Sequence, residues 1–174
     1  MAPNKHFMIG LITAVGVMAI DQFTKWWIIV DVMQPPRIIP VTPFFNLVLG
    51  WNRGVSFGLF NTNSPINQWL LPGLALAISA ALLVWMWRVE NRLLAVSIGL
   101  IVGGAIGNVI DRFRYGAVAD FLDFHMAGVH WPAFNAADSA ITIGAIFLVL
   151  DSLFGDAERH KKEDETSGTI NDEE

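Results

Sequence analysis

Four long apolar stretches, at residues 7–30, 69–87, 93–110 and 131–150, alternate with polar connections along the chain. Each approaches or exceeds the roughly 20 residues a helix needs to cross about 30 Å of hydrocarbon. The first is interrupted by Asp21 and Lys25 and the fourth by Asp138, whereas the middle two carry no charge. No fifth stretch is long enough. Lys5 ahead of an apolar run has the look of a secretory leader, but no small-residue cleavage site follows at residues 21–27, so the segment reads as a span. Residues 88–92 join the second and third spans as a tight helical hairpin. The connection 31–68 is too long for a turn. Pro35, Pro36, Pro40 and Pro43 punctuate its first part, and residues 44–51 are aromatic and β-branched enough for a strand. Residues 118–124 form a second expected strand. The predicted fold class is therefore an all-α polytopic membrane protein with four transmembrane helices, a small extracytoplasmic β-sheet and loop elements.

Arg88 and Arg92 in the short hairpin loop place that loop on the cytoplasmic side. Both termini then lie on the same side, with Lys5 at one and Arg159, Lys161 and Lys162 at the other. Trp26, Trp27, Trp69, Trp85, Trp87 and Trp131 fall near span ends, where amphipathic rings favour the interface. Composition agrees: 53% of the 174 residues are hydrophobic and 16% charged, against about 25% charged in soluble domains. Many of those charges sit in the last fourteen residues, so the expected division is a membrane domain at 1–160 and an acidic, disordered cytoplasmic tail at 161–174. A net charge of −5 without a basic stripe argues against nucleic acid as a partner. The absence of cysteine excludes a disulfide, a thiolate nucleophile and an iron–sulfur site.

The polar residues of the spans gather at one depth. Asp21 lies fourteen residues beyond Phe7, about 21 Å from the inner end at 1.5 Å per residue. Lys25 follows at i+4 on the same face, within reach of Asp21. Asn108, Asp111 and Arg112 end the third span on the outer side, Asn135 and Asp138 begin the fourth, and Asp120 lies in the connection between them. Ionisable groups inside a span are costly and mark functional sites by default. The competing structural reading pairs Asp21 with Lys25 and Asp111 with Arg112 as fasteners of the bundle. It explains Asp120 and Asp138 less well, because too few cations remain to neutralise every carboxylate at this level. Asp123, close behind Asp120 on the same strand, is expected to share its face as a solvated acid.

Two carboxyl groups held together in a partly dry site cannot both ionise easily, so one keeps its proton. Such a pair can act as base and acid together, one taking a proton from water while the other polarises the scissile amide. Asp120 and Asp138 are the candidates. Gly54-Val55-Ser56-Phe57-Gly58 fits the G-x-S-x-G pattern, but that motif needs an α/β-hydrolase sheet for which the chain has no room. His125 and His130 are five apart in a loop, not four apart on a helix, and are expected at the headgroup level; no metal site is assigned. Gly99, Gly103 and Gly107, with Gly104 beside them, form a helix-packing face expected to hold Asn108 and Asp111 beside the fourth span. The rival function is a small transporter or proton-relay protein using intramembrane Asp and Lys, although no inverted repeat is visible.

Five blocks in order carry a resemblance over nearly the whole chain. They are Asp21-Gln22-Phe23-Thr24-Lys25, Asn52-Arg53-Gly54-Val55-Ser56-Phe57, Gly103 through Arg112, Val118-Ala119-Asp120-Phe121 and Phe134-Asn135-Ala136-Ala137-Asp138-Ser139. On four spans of this topology the chain resembles lipoprotein signal peptidase, the bacterial type II signal peptidase. Ala119 stands where a larger aliphatic is common. The resemblance implies an aspartyl endopeptidase of the bacterial inner membrane, with its site near the periplasmic face. It implies a diacylglyceryl-modified prolipoprotein substrate cut just before the lipidated cysteine, no metal or other cofactor, contact with membrane lipid, and inhibition by the cyclic peptide globomycin. It implies Asp120 and Asp138 as catalytic residues. Asp21, Lys25, Asn52, Gly54, Asn108, Asp111, Arg112 and Asn135 would bind substrate or support the site.

Overall fold

The computed structural model describes residues 5–54 and 65–171, with side chains described for 5–54 and 69–153. Its elements run α1 (Lys5–Trp27), a π-helical turn (Ile28–Val32), β1 (Ile39–Thr42), β2 (Phe45–Asn52), α2 (Pro65–Met86), α3 (Arg92–Tyr115), β3 (Val118–Met126), β4 (Val129–His130) and α4 (Ala136–Asn171). Lys5–Val32, Trp69–Met86, Arg92–Tyr115 and Ala136–Leu153 are long and apolar enough to cross a membrane.

The boundaries depart from the hydropathy pattern where capping chemistry intervenes. The third span runs on to Tyr115, because Gly116 takes the left-handed conformation (φ 70°) and donates its N–H back to the Arg112 carbonyl. Asp111 and Arg112 therefore lie inside the last turns of α3. The fourth helix starts at Ala136 instead of Trp131. Pro132 disfavours helix at Trp131, and Phe134 bridges to Leu122 in extended form. At the other end α4 continues as helix to Asn171.

α3 is the central helix, packed against α1, α2 and α4. Its glycines divide the work. A Cβ at Gly103 would meet the Ala14 carbonyl of α1, and one at Gly107 would meet the Asp21 carboxylate. Gly104, on the neighbouring face, abuts Ala137 and Ile141 of α4. The 99-103-107 stripe thus faces α1, not the fourth span as expected, and it is Gly104 that admits α4. Close backbone approach of this kind takes the place of a hydrophobic driving force between helices in lipid. A Cβ at Gly104 would stand 2.5 Å from the Ala137 carbonyl oxygen and 2.9 Å from Ile141 Cγ1. Gly104→Ala is therefore expected to destabilise the protein by about 1–3 kcal/mol in detergent unfolding. Gly73→Ala, on α2 with nothing within 4 Å of the added methyl, should not destabilise it.

Ala14, Met86, Val89, Ala95, Ile98 and Val102 form the inner core. Ile12, Ile20, Phe23, Leu74 and Val84 point outward and are exposed, as lipid-facing positions would be.

The sheet is antiparallel in the order β1-β2-β3-β4. β1 and β4 were not evident from the sequence. β1 contains Pro40, tolerable because the strand is an edge. β4 is two residues long. β2 pairs with β3 so that Asn46 lies opposite Asp123, Gly50 opposite Asp120 and Asn52 opposite Val118, with a register shift between Leu47 and Gly50. Ile28, Met33 and Phe121 make a second core that joins this sheet to the C-terminal end of α1.

Candidate active site

One turn of α1 and one of α3 bring charges together inside the bundle. Lys25 Nζ lies 2.9 Å from Asp21 Oδ2 and 2.8 Å from Asp111 Oδ2. Its remaining donor reaches Asn108 Oδ1 at 2.9 Å. An ammonium has three donors and no acceptor, so Lys25 is fully satisfied, and all three charged groups are almost wholly buried. Asp21 and Lys25 pair as the i+4 spacing predicts. Asp111 does not pair with Arg112 as that reading required, since successive residues on a helix point in different directions. Its partner comes from α1. Gln22 completes the cluster, donating from Nε2 to Asp111 Oδ1 at 2.9 Å and to the Gly107 carbonyl at 3.1 Å. Its role is not evident from the sequence, although an amide beside Asp21 inside an apolar span was the available signal.

The amide of Asn108 turns the cluster toward the fourth helix. Because Lys25 can only donate, Asn108 must present its oxygen to it and its NH₂ elsewhere. That NH₂ donates to Asp138 Oδ1 at 2.8 Å. Asp138 stands in the first turn of α4, capped by Asn135. The Asp138 N–H donates to Asn135 Oδ1 at 3.0 Å, and the Asn135 N–H donates to Asp138 Oδ2 at 3.2 Å. This is a reciprocal capping box with an aspartate in the position usually held by Glu or Gln.

Asn135 also reaches the other acid. Its Nδ2 donates to Asp120 Oδ1 at 2.7 Å, while Asn52 Nδ2 donates to Asp120 Oδ2 at 3.1 Å. One residue therefore bonds both carboxylates, through its side chain to Asp120 and its backbone to Asp138. Asp120 is buried and Asp138 only half-buried. Burial pushes the Asp120 carboxyl up to about 7, helped by the negative Asp138 nearby and opposed by the amide donors of Asn52 and Asn135 and by the Lys25 charge. Since folding raises this pKa from 3.8, its contribution to stability is present below that pH and is lost as pH rises through about 7.

Arg112 donates from Nη2 to the Gly54 carbonyl at 3.1 Å, and its charge lies within electrostatic reach of Asp138, Asp120 and Asp111. Gly54 is held in turn by the Asn52 side-chain oxygen, which accepts its N–H at 3.1 Å. All eight supporting residues named from the sequence thus meet around Asp120 and Asp138. The serine of the G-x-S-x-G pattern lies outside the described residues. Beside Asp138 opens a cavity of about 390 Å³ lined by Trp131, Phe134, Ser139, Thr142 and Ile143.

Asp123 corrects its expectation. Three positions separate it from Asp120, so the two side chains leave opposite faces of β3. It is covered, not solvated, accepting from Asn46 Nδ2 at 2.9 Å and lying 2.8 Å from His130 Nδ1. Burial alone would raise its pKa, but the hydrogen bonds from Asn46 and His130 and the nearby histidines outweigh this and hold it below the usual range. His125 and His130, expected in a loop, lie on β3 and β4 with their rings 4.9 Å apart.

A buried acid and a half-buried acid, both bonded by one asparagine at one end of the helical bundle, form an arrangement suited to acid–base chemistry. The comparisons with known proteins point to a peptidase. A family model described as signal peptidase (SPase) II matches residues 13–154. Lipoprotein signal peptidase of Methylobacterium sp. (strain 4-46) is 44% identical over 88% of this chain and 93% of its own. That of Methylorubrum extorquens (strain PA1) is 47% identical over 84% and 86%, and that of Azoarcus sp. (strain BH72) is 47% identical over 88% and 86%. A solved structure described as a bacterial membrane enzyme superposes with a TM-score of 0.77 at 30% identity, covering 91% of this chain and 95% of that one. The chain belongs to the signal peptidase II family of aspartic endopeptidases, multi-pass membrane proteins that process lipoprotein precursors. The family is one of peptidases, which is the function expected from the resemblance and not the rival transporter.

Proposed function

We propose that Asp120 and Asp138 are the catalytic pair of this peptidase and that they hydrolyse the bond just before the diacylglyceryl-modified cysteine of a prolipoprotein. The observation that carries this reading is the double engagement of Asn135, which ties the buried acid on β3 to the half-buried acid on α4. Asp120, raised to about 7, retains the shared proton near neutrality. Asp138 accepts a proton from water as the water oxygen attacks the scissile carbonyl, while Asp120 donates its proton to the carbonyl oxygen. Collapse of the tetrahedral intermediate breaks the C–N bond, restores the carbonyl and passes a proton to the departing cysteine nitrogen. The pair is then left with the one proton it started with. Asn52 and Asn108 hold the two carboxylates, and Arg112 fixes the backbone at Gly54.

The site lies at the outer end of the bundle, which suits a substrate whose acyl chains remain in lipid while its peptide bond meets water. The apolar cavity beside Asp138 offers a path for that approach. The arginines of the 88–92 loop support an inner-membrane orientation with both termini cytoplasmic and the site at the periplasmic face. Purified protein in micelles is expected to cut a lipidated precursor at that bond, to leave the unlipidated precursor intact and to be blocked by globomycin. Equal cleavage of both precursors would overturn the substrate assignment.

The pH dependence follows from the same bonds. Asn52 stabilises the ionised form of Asp120, so Asn52→Ala should raise the carboxyl pKa further. Losing a hydrogen bond to a charged group is expected to move the alkaline limb of kcat/KM upward by roughly half to one pH unit. A pH–rate profile checks both sign and size.

A further inference from the structure

The buried ion cluster touches both halves of the site at equivalent places. Asp21 Oδ1 accepts the backbone N–H of Ala137 at 3.0 Å. Asp111 Oδ2 accepts the backbone N–H of Ala119 at 3.2 Å. Ala137 immediately precedes Asp138, and Ala119 immediately precedes Asp120. Each carboxylate of the cluster therefore holds the backbone N–H of the residue before one acid of the pair, and Lys25 Nζ joins the two carboxylates at 2.9 and 2.8 Å.

We infer that Lys25 is a positioning residue whose bridge between Asp21 and Asp111 sets the separation of Asp120 and Asp138. This rests on the reading of those two acids as the catalytic pair. The chain of contacts is short and rigid. Starting from Ala137, it passes through Asp21, Lys25 and Asp111 to Ala119, every member being buried. A pairing role alone would need only one acid. A second acid on the same ammonium is more than helix fastening calls for. Its position is explained if the bridge has two ends to hold. Lys25 adds a third hold through Asn108, whose amide it orients toward Asp138. Asn135 and the backbone bonds of Phe134 to Phe121 and Leu122 already tie β3 to the start of α4, and the Lys25 bridge adds a hold from α1 and α3.

The test measures kcat, KM and the pH profile of lipidated-precursor cleavage for Lys25→Met, Lys25→Arg and Asp21→Asn, alongside Asp120→Asn and Asp138→Asn. Far-UV circular dichroism and thermal unfolding in the same detergent report the folded fraction. Displacement of reacting groups by about 1 Å can cost about 100-fold. Lys25→Met is expected to lose about that much in kcat per folded molecule, with KM changed less than about threefold. The two limbs of its pH profile should move, because the repulsion between the paired acids depends on their spacing. Lys25→Arg, which can still bridge two carboxylates, should recover much of kcat and the wild-type limbs. Asp21→Asn, which keeps one oxygen for the Ala137 N–H, should fall between them, and it decides the matter if Lys25→Met does not fold. The inference is overturned if Lys25→Met, or Asp21→Asn in its place, loses activity only in proportion to its folded fraction, with unshifted limbs. Full activity in Asp120→Asn or Asp138→Asn would instead remove the catalytic pair itself, so the two failures are distinct.

Discussion

Asp138→Asn protein is expected to insert, fold and bind lipidated precursor normally while cleaving it at least about 1,000-fold more slowly, and Asp120→Asn to behave alike. The substitutions are isosteric, but Asn keeps one acceptor oxygen, so it accepts from only one of the two donors at each position, Asn108 or Asn135 at Asp138 and Asn135 or Asn52 at Asp120. Packing should therefore survive at the cost of one hydrogen bond. The chemistry should not, because an amide can neither take a proton from water at position 138 nor supply one at position 120. A burst of product followed by stalling would be out of keeping with this mechanism, in which no covalent enzyme intermediate forms. Single-turnover assays with excess enzyme separate the chemical step from binding.

The second large effect is expected at Asn135. Asn135→Ala removes the cap of α4, the side-chain donor to Asp120 and the acceptor for the Asp138 N–H. The lost cap should destabilise the protein by about 1 kcal/mol. Activity should fall much further, by roughly 100-fold or more, because the two acids lose their common anchor. Asn135→Ser separates the two roles. A serine hydroxyl can cap the helix but is too short to reach Asp120, so stability should return while most of the activity does not. Recovery of both would mean that Asn135 acts only as a cap. Thermal unfolding and kcat measured on the same preparations give the comparison.

Much of this site is legible in the sequence because membrane burial makes polar residues conspicuous. Asp21 and Lys25 stand out in an apolar run, and their i+4 spacing predicts the ion pair that forms. Asn108 and Asp111, three apart near the end of α3, share a face by helix geometry alone, and both reach Lys25. The partner of Asp111 is not legible, because it depends on how closely α1 approaches α3, which the glycines decide only in three dimensions. The same holds for the division of labour between Gly103 and Gly104, which face different helices although they are neighbours in sequence. The start of α4 is misread from hydropathy because Trp131 to Phe134 are apolar yet lie outside the helix; Pro132 and the Asn135 cap carry that information locally. β1 and β4 escape notice because a four-residue strand containing proline and a two-residue strand have too little periodicity. Asp123 departs from expectation because the period of a strand places it away from Asp120, where Asn46 and His130 cover it.

The division of roles between the two acids has a chemical consequence that can be followed atom by atom. Direct attack by water places its oxygen in the new carboxyl terminus of the released signal peptide and leaves the enzyme carboxylates untouched. A single turnover in ¹⁸O-labelled water, with excess enzyme and a lipidated precursor, followed by mass spectrometry of both the peptide and the Asp120 and Asp138 fragments, distinguishes this from acyl transfer to an aspartate. One labelled oxygen in the peptide and none in either aspartate is the expected result. Label in Asp120 or Asp138, or a peptide released without it, would contradict the proposal that these two carboxyl groups act as base and acid on a shared water.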